Sequence, residues 1–89
     1  MAKAQNTPCD HLAKANQNIQ GNTDGCEECL KMGSSWVQLR LCLACGHVGC
    51  CDSSINKHAT KHFQATNHPV IAEFPHKSWE WCYLDKLSI

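Results

Sequence analysis

The alternation of apolar and polar residues predicts a strand in the middle of the chain. Residues 36–42 (WVQLRLC) place aliphatic side chains at every second position, with Gln38 and Arg40 between them. A period of two is typical of a strand that buries one face. The next residues turn the chain, and residues 47–50 can pair back as a second strand. The pattern therefore predicts a short β-hairpin.

Two further apolar runs and one helical segment follow. Residues 70–74 (VIAEF) and 79–84 (WEWCYL) are bounded by turn residues and predict two more strands. A helix is predicted over about residues 54–66, because His58 and His62 fall on one face at a spacing of four and Asn67 can cap its end. Its candidate N-caps are Asp52, Ser53 and Ser54. A short helical turn over 12–18 is also predicted.

Cysteine and histidine supply the chemistry of this chain. Its 89 residues include eight cysteines and six histidines. Cys42 and Cys45 form a C-x-x-C motif at the predicted hairpin turn, and Cys26 and Cys29 form another upstream. Thiolate and imidazole are the ligands that zinc prefers. The alternative is a disulfide framework, but disulfides would not require the interleaved histidines, and the first residues lack an apolar secretory signal. We therefore predict zinc sites and expect a cytoplasmic protein.

Chain length favours the same interpretation. A domain of this size buries only about 60–65% of its unfolded surface, so its apolar core is marginal and metal ligation would supply stability. We predict an α+β fold, a small zinc-stabilised, treble-clef-like domain with a short antiparallel sheet and one main helix. Because tetrahedral zinc takes four ligands, the supply of cysteine and histidine supports two to three ions.

Charge and hydropathy exclude several functions. The formal net charge is 0, and zinc-bound thiolates would keep it near zero, so we expect no nucleic-acid partner. No run of 18 apolar residues exists, so we expect no membrane span. Closed tetrahedral sites leave no open metal position for a substrate, and no βαβ pattern surrounds a redox dithiol. We therefore expect a binding module, not an enzyme, and a monomer.

The order of the motifs resembles one known family. The run C-x-x-C-x4-C from Cys42, the run H-x3-H-x5-H from His58, a following proline and the later W-C-Y resemble the UBP-type zinc finger of deubiquitinases and of one histone deacetylase. The C-x-H at Cys9 and the first C-x-x-C stand upstream in the same order. The resemblance covers Cys9 to about Asp85. We predict a finger domain over residues 9–89, preceded by a flexible segment over 1–8.

This resemblance implies three interleaved ligand sets. They are Cys9, His11, Cys82 and Asp85 at the first ion, Cys26, Cys29, Cys50 and His58 at the second, and Cys42, Cys45, His62 and His68 at the third. Asp85 stands where the family has a cysteine, and carboxylate is an acceptable zinc ligand. One extra residue before His58 leaves Cys51 as an alternative to Cys50. We prefer Cys50, because residues 48–50 resemble the family's V-x-C strand end, and Cys51 is then a buried free thiol.

Other polar residues have no place in these ligand sets. His47 and His76 are expected at the surface or in turns, and Glu27 and Glu28 are expected to be solvated.

The family also implies a ligand, because its members capture the C-terminal tail of ubiquitin ending in Gly-Gly. Trp81 and Tyr83 match the W-C-Y motif and would form aromatic walls. The family's tail-binding arginine after the third-site cysteine is absent, and Asp52 or Ser53 stands there. The resemblance therefore implies that a changed site of this domain captures the C-terminal tail of a peptide or of a ubiquitin-like protein.

Two more positions depart from the tail-binding pattern. Arg40 replaces a tryptophan before the second knuckle and could supply a cation from a different direction. Ser88 replaces an aromatic residue near the C-terminus. We therefore predict Trp81, Tyr83 and Arg40 as peptide-binding residues. The alternative is a zinc-stabilised scaffold that binds another protein surface, with Trp79 and Trp81 as anchors and no recognition of ubiquitin.

Overall fold

The computed structural model describes residues 10–88. Predictions for Cys9 and for the segment 1–8 lie outside the described residues. The helices are α1 (Asp10–Lys14), α2 (Glu27–Met32) and α3 (His58–Thr66), and the strands are β1 (Leu39–Cys42), β2 (Val48–Cys50), β3 (Val70–Phe74), β4 (Glu80–Cys82) and β5 (Leu87–Ser88). Every strand pair is antiparallel, in the order β2-β1-β3-β4-β5. The predicted small α+β fold is confirmed.

Strand register divides the sheet into two faces. Leu41 pairs with Val48 on one side and Ala72 on the other, and all three are fully buried on the core face. Helices α1 and α2 contact the sheet through β4 and β2. Several of the largest fully buried side chains of the described chain are cysteines, namely Cys26, Cys29, Cys42, Cys50 and Cys82. Aliphatic packing is therefore limited, as the chain length predicts.

The opposite face of the sheet receives α3. Gly49 of β2 faces this helix, and a Cβ added there would lie 2.7 Å from the backbone N of Ala59 and 2.9 Å from its Cα. Only a residue without a side chain allows so close an approach. Helix α3 covers β2 and part of β1, so the face of the sheet beyond it stays open to other groups.

Helix α3 begins later than the sequence predicts, at His58 instead of about residue 54. The polar residues before it are used in tertiary hydrogen bonds and not as caps. Ser54 Oγ accepts from the Val37 N–H at 2.8 Å, and the Asn56 amide donates to Ser34 Oγ at 2.8 Å. The N-cap is Lys57, in a left-handed conformation with φ 50° and no side-chain cap. The predicted cap at the other end is present: the Asn67 N–H donates to Phe63 O at 2.7 Å, with φ 62°.

Other boundaries differ by a few residues. Strand β1 begins at Leu39, because Val37 is bonded to Ser54 and its side chain is 63% exposed. The first C-x-x-C opens the six-residue helix α2, with Cys26 as N-cap. Strand β5 has only two residues and was not predicted. Among residues 10–88, no helix is both long and apolar enough to cross a bilayer.

Candidate functional site

The fold brings the predicted ligands together in three groups. In each, the ligand atoms of all members lie within 4.8 Å of one another. We name them the helix cluster, the turn cluster and the terminal cluster. Their members are Cys26, Cys29, Cys50 and His58; Cys42, Cys45, His62 and His68; and His11, Cys82 and Asp85.

The helix cluster has the dimensions of a tetrahedral metal site. The Nδ1 atom of His58 lies 3.3 Å, 3.4 Å and 3.6 Å from the sulfurs of Cys26, Cys29 and Cys50. The sulfurs of Cys29 and Cys50 are 3.9 Å apart. Zinc bonds of about 2.3 Å to sulfur and about 2.05 Å to nitrogen give tetrahedral edges of about 3.8 Å between sulfurs and about 3.6 Å between sulfur and nitrogen. Three thiols and one imidazole therefore fit one zinc ion.

Backbone N–H groups hold these sulfurs in place. The Cys29 N–H donates to the Cys26 sulfur at 3.4 Å, and the His58 N–H donates to the Cys50 sulfur at 3.1 Å. One of these N–H groups belongs to helix α2, and the other belongs to the first residue of α3. Burial is the main reason that the pKa of the Cys26 thiol is raised to about 12 in the metal-free chain. A metal ion would therefore displace protons when it binds here.

The turn cluster joins the β1–β2 hairpin to α3. Cys42 ends β1 and lies 3.5 Å (Sγ to Nδ1) from His68, which follows the helix. The Cys45 sulfur lies 3.4 Å from Nε2 of His62. Burial, followed by the nearby His47 and His68, lowers the pKa of His62, which favours the neutral imidazole that a metal needs. Two thiols and two imidazoles complete a second tetrahedral set.

The terminal cluster joins α1 to the turn after β4. His11 Nδ1 lies 3.1 Å from Asp85 Oδ2 and 3.6 Å from the Cys82 sulfur, and the sulfur is 4.0 Å from the same carboxylate oxygen. The Asp85 N–H donates to the Cys82 sulfur at 3.5 Å. This cluster brings together three of the four ligands predicted for the first ion, and the fourth, Cys9, lies outside the described residues.

His47 connects two of these clusters. We expected it at the surface or in a turn; it follows the hairpin turn, but only 8% of it is exposed. Its Nε2 lies 2.7 Å from the carboxylate of Glu28, which stands inside the helix-cluster knuckle. Its ring stacks on His62 of the turn cluster. Burial pushes the pKa of Glu28 upward, but the hydrogen bond with His47, a backbone hydrogen bond and the nearby histidines together outweigh burial and lower the pKa.

Beside α3, an aromatic cavity of about 560 Å³ opens on the helix-bearing face of the sheet. All three residues predicted to bind a peptide, Arg40, Trp81 and Tyr83, line it. Register explains part of this, because Ile71, Trp81 and Ser88 are directly paired across β3, β4 and β5. The remaining lining residues are Cys51, Asp52, Ala59, Ile71, Trp79 and Ser88. Asp52 and Ser88 are thus in the cavity, at positions where the sequence departs from the family pattern.

Arg40 supplies the cation that lines the aromatic cavity. Its guanidinium lies 4.5 Å from the centre of the Trp79 ring, and one of its nitrogens, Nη1, donates to Leu39 O at 2.9 Å. In the sequence-based prediction, Trp79 is only an anchor of the scaffold alternative. Stacking on this ring and the backbone contact hold the charge in place.

Tyr83 forms part of the cavity wall. Its ring stacks on Phe63 of α3 with centroids 4.5 Å apart and an interplanar angle of 10°. Its hydroxyl lies 3.3 Å from Thr60 Oγ1. Burial is the largest influence on the pKa of Tyr83 and raises it. Thr60 was not among the predicted site residues, because a threonine on a helix carries no sequence signal of its own.

Cys51 lies in the cavity wall and in none of the three clusters, whereas Cys50 lies in the helix cluster. The Cys51 thiol is buried and lies 3.5 Å from Ser54 Oγ. Burial pushes the pKa of Cys51 upward, but hydrogen bonds, first that of Ser54, and the charge of Arg40 outweigh it and lower the pKa. The placement matches the sequence preference for Cys50 as the ligand.

Closed Cys/His clusters on a small antiparallel sheet define a zinc-finger domain. A family described as "Zn-finger in ubiquitin-hydrolases and other protein" matches residues 26–89. The chain belongs to this family of UBP-type zinc fingers.

Several relatives contain a matching region within much longer chains. The chain is 38% identical over 58 residues to the NAD-dependent deacetylase sir2A of Dictyostelium discoideum, 41% over 59 residues to ubiquitin carboxyl-terminal hydrolase 44 of Ailuropoda melanoleuca, and 35% over 57 residues to BRCA1-associated protein of Homo sapiens. These matches cover 65%, 66% and 63% of this chain, but only 10%, 8% and 9% of the relatives.

A solved structure is also similar. The solution NMR structure of protein RPA1320 from Rhodopseudomonas palustris has a TM-score of 0.84 and 52% sequence identity. The match covers 91% of this chain and 79% of that one.

Proposed function

We propose that this domain is a zinc-stabilised binding module that captures the carboxyl end of a peptide or of a ubiquitin-like protein in the aromatic cavity. The observation that carries the proposal is the convergence of Arg40, Trp81 and Tyr83 on one cavity. These residues come from β1, from β4 and from the residue after β4. A volume of about 560 Å³ lies within the range of small-ligand sites.

A chain terminus suits the chemistry of this cavity. A terminal carboxylate needs a cation with N–H donors, which Arg40 supplies, and the stacking on Trp79 fixes its position. Aromatic walls suit a narrow, extended peptide end. Relatives named as ubiquitin carboxyl-terminal hydrolases support a ubiquitin-like tail as one candidate ligand.

Zinc has a structural part in this proposal. The helix and turn clusters would each hold one ion with four ligands, and the terminal cluster would hold a third ion with Cys9, two residues before His11 in the sequence, as its fourth ligand. Closed four-ligand sites leave no coordination position for a substrate. We therefore propose binding, not catalysis, as the role of this domain.

Peptide titration tests the proposal. The probes are two peptides of one sequence ending in Gly-Gly, one with a free carboxylate and one amidated, titrated by calorimetry against the zinc-loaded chain. We expect binding of the free acid and loss of at least about tenfold in affinity on amidation, since a charge-assisted hydrogen bond to Arg40 is removed.

Variants locate the site. Arg40→Gln should weaken binding of the free acid, whereas Lys61→Gln, which removes a charge from the exposed side of α3, should leave binding unchanged. If neither peptide binds, the scaffold alternative is favoured, with Trp79 and Trp81 as anchors for another protein surface.

A further inference from the structure

Two residues that line the aromatic cavity, Asp52 and Tyr83, are joined through Thr60 by a chain of hydrogen bonds that has a fixed direction. Thr60 Oγ1 lies 2.6 Å from Asp52 Oδ1 and 3.3 Å from the Tyr83 hydroxyl. An ionised carboxylate can only accept, so the single hydrogen of the Thr60 hydroxyl goes to Asp52. Thr60 then has only lone pairs left for Tyr83. The hydrogen of the second bond therefore comes from Tyr83.

This direction decides what Tyr83 offers a ligand. A phenol has one hydrogen, and here it is used in the bond to Thr60. The hydroxyl can then serve a ligand in the cavity only as an acceptor. Stacking between Tyr83 and Phe63, with centroids 4.5 Å apart, limits movement of the ring away from Thr60.

Arg40 lines the same cavity and has the opposite hydrogen-bonding role, because it can only donate. A guanidinium has five N–H donors and no acceptor, and among the described contacts Nη1 donates to Leu39 O. The cavity thus combines a cationic donor, Arg40, with a neutral acceptor, Tyr83. A ligand that fits both must carry an acceptor anion close to an N–H donor.

We propose that Asp52, acting through Thr60, holds the Tyr83 hydroxyl as an acceptor for the last backbone N–H of a chain end whose terminal carboxylate Arg40 binds. This inference rests on the proposed function and adds a second recognition element to it. Asp52 acts as a positioning residue, because it orients Tyr83 through Thr60 and needs no contact with the ligand. Its carboxylate, which would repel a ligand anion in direct contact, has an indirect role here.

A peptide with one atom replaced tests the inference. The probe is the free-acid Gly-Gly peptide and its ester analogue, in which the last amide N–H is replaced by oxygen. We expect the zinc-loaded chain to bind the ester about tenfold more weakly, the usual effect of one lost hydrogen bond at a desolvated site. In Tyr83→Phe, the amide and the ester should bind nearly equally, because the acceptor is gone.

Two variants test the relay itself. Thr60→Val removes the acceptor of the Tyr83 hydrogen, and Asp52→Asn allows the chain of bonds to reverse, so both should reduce the preference for the amide peptide over the ester. Ser53→Ala, at an exposed neighbouring position, is the matched control and should keep that preference. Equal zinc content in all variants, measured by native mass spectrometry, would show that the fold is retained.

The outcomes separate the inference from the proposed function. If the free acid fails to bind, or binds no better than the amidated peptide, the proposed function is wrong. If the free acid binds and is preferred over the amidated peptide, but the ester binds as well as the amide peptide, tail capture stands and the inference is overturned. An ester penalty that persists unchanged in Tyr83→Phe also overturns the inference.

Discussion

The imidazole of His47 lies flat on the imidazole of His62, with ring centroids 4.0 Å apart and planes 3° apart. The Nε2 atom of His47 is hydrogen-bonded to the carboxylate of Glu28. That carboxylate lies 3.9 Å from the Cys26 sulfur. One buried side chain therefore connects a knuckle of the helix cluster to a ligand of the turn cluster. Residues that orient metal ligands in this way commonly affect metal affinity.

Replacement of His47 should loosen metal held by the turn cluster. We expect His47→Ala to increase the rate of zinc release to a chelator by about tenfold, because His62 loses the ring that supports it. His47→Phe keeps a stacking ring but loses the bond to Glu28, and its release rate should lie between those of the native chain and His47→Ala. The measurement is release into a colorimetric zinc indicator.

His76→Ala is the control for this experiment, since His76 is exposed on the turn after β3. Its release rate should equal that of the native chain. Equal rates in His47→Ala and the native chain would contradict the supporting role of His47.

The two adjacent cysteines should respond differently to serine. Cys50→Ser removes a ligand of the helix cluster, and we expect it to lose one zinc equivalent and much of its stability. Cys51→Ser changes a thiol of the cavity wall, and we expect it to keep the full zinc content. Native mass spectrometry of both variants gives the count. A loss of zinc in Cys51→Ser alone would reverse the ligand assignment.

A side chain at Gly49 should destabilise the domain. Gly49→Ala places a methyl group against the backbone of Ala59, which cannot move without shifting α3, and we expect a loss of about 1–3 kcal/mol in the free energy of unfolding. Gly33→Ala is the comparison, because a Cβ there meets nothing within 4 Å and only the left-handed φ of 70° opposes it. Its loss should be about 1 kcal/mol. Thermal unfolding of the zinc-loaded proteins measures both losses. Equal losses would show that the close approach of α3 to Gly49 does not contribute to the effect of Gly49→Ala.

Zinc binding should release protons and depend on pH. Burial raises the pKa of Cys26 to about 12 and also raises the pKa of Cys42, so both thiols keep their protons in the metal-free chain at neutral pH. Bound zinc requires thiolates, so each binding event expels protons and zinc affinity falls as the pH falls. We expect acid and chelator to unfold the domain together with zinc loss.

Calorimetry in buffers of different ionisation enthalpy measures the number of protons released. Circular dichroism during chelation at constant pH provides the second measurement. A chain that keeps its compact structure after complete removal of zinc would contradict the dependence of folding on metal.

The sequence predicts those parts of the fold that depend on local pattern. Strand β3 was predicted with the bounds that the structure shows, because a short apolar run stands between His68-Pro69 and Pro75. The start of α3 was not, because the side chains of Ser54 and Asn56 bond to distant segments instead of capping the helix. Such choices depend on tertiary neighbours that local propensity does not include.

The candidate sites likewise include one part that the sequence predicts, the metal-ligand clusters, and one part that it predicts poorly, the cavity. Motif spacing and family resemblance predict which ligands lie together, because four ligands around one ion strongly restrict the conformation of the chain. The composition of the cavity was harder to predict. The sequence marks Asp52 and Ser88 only as departures from the family pattern; Ser88 lies in the cavity because the two-residue strand β5 pairs with β4, and Asp52 is hydrogen-bonded to Thr60, and neither contact is visible in the sequence.

The terminal cluster gives the domain an unusual mechanical arrangement. His11 and Cys82 are 71 positions apart, and their side chains meet at one point. If a molecule were stretched from attachment points at His11 and Asp85, as with optical tweezers, the residues between them would carry no tension until this junction opened. With a zinc ion held by this cluster, coordination bonds and not the shearing of strands would set the force that the domain withstands.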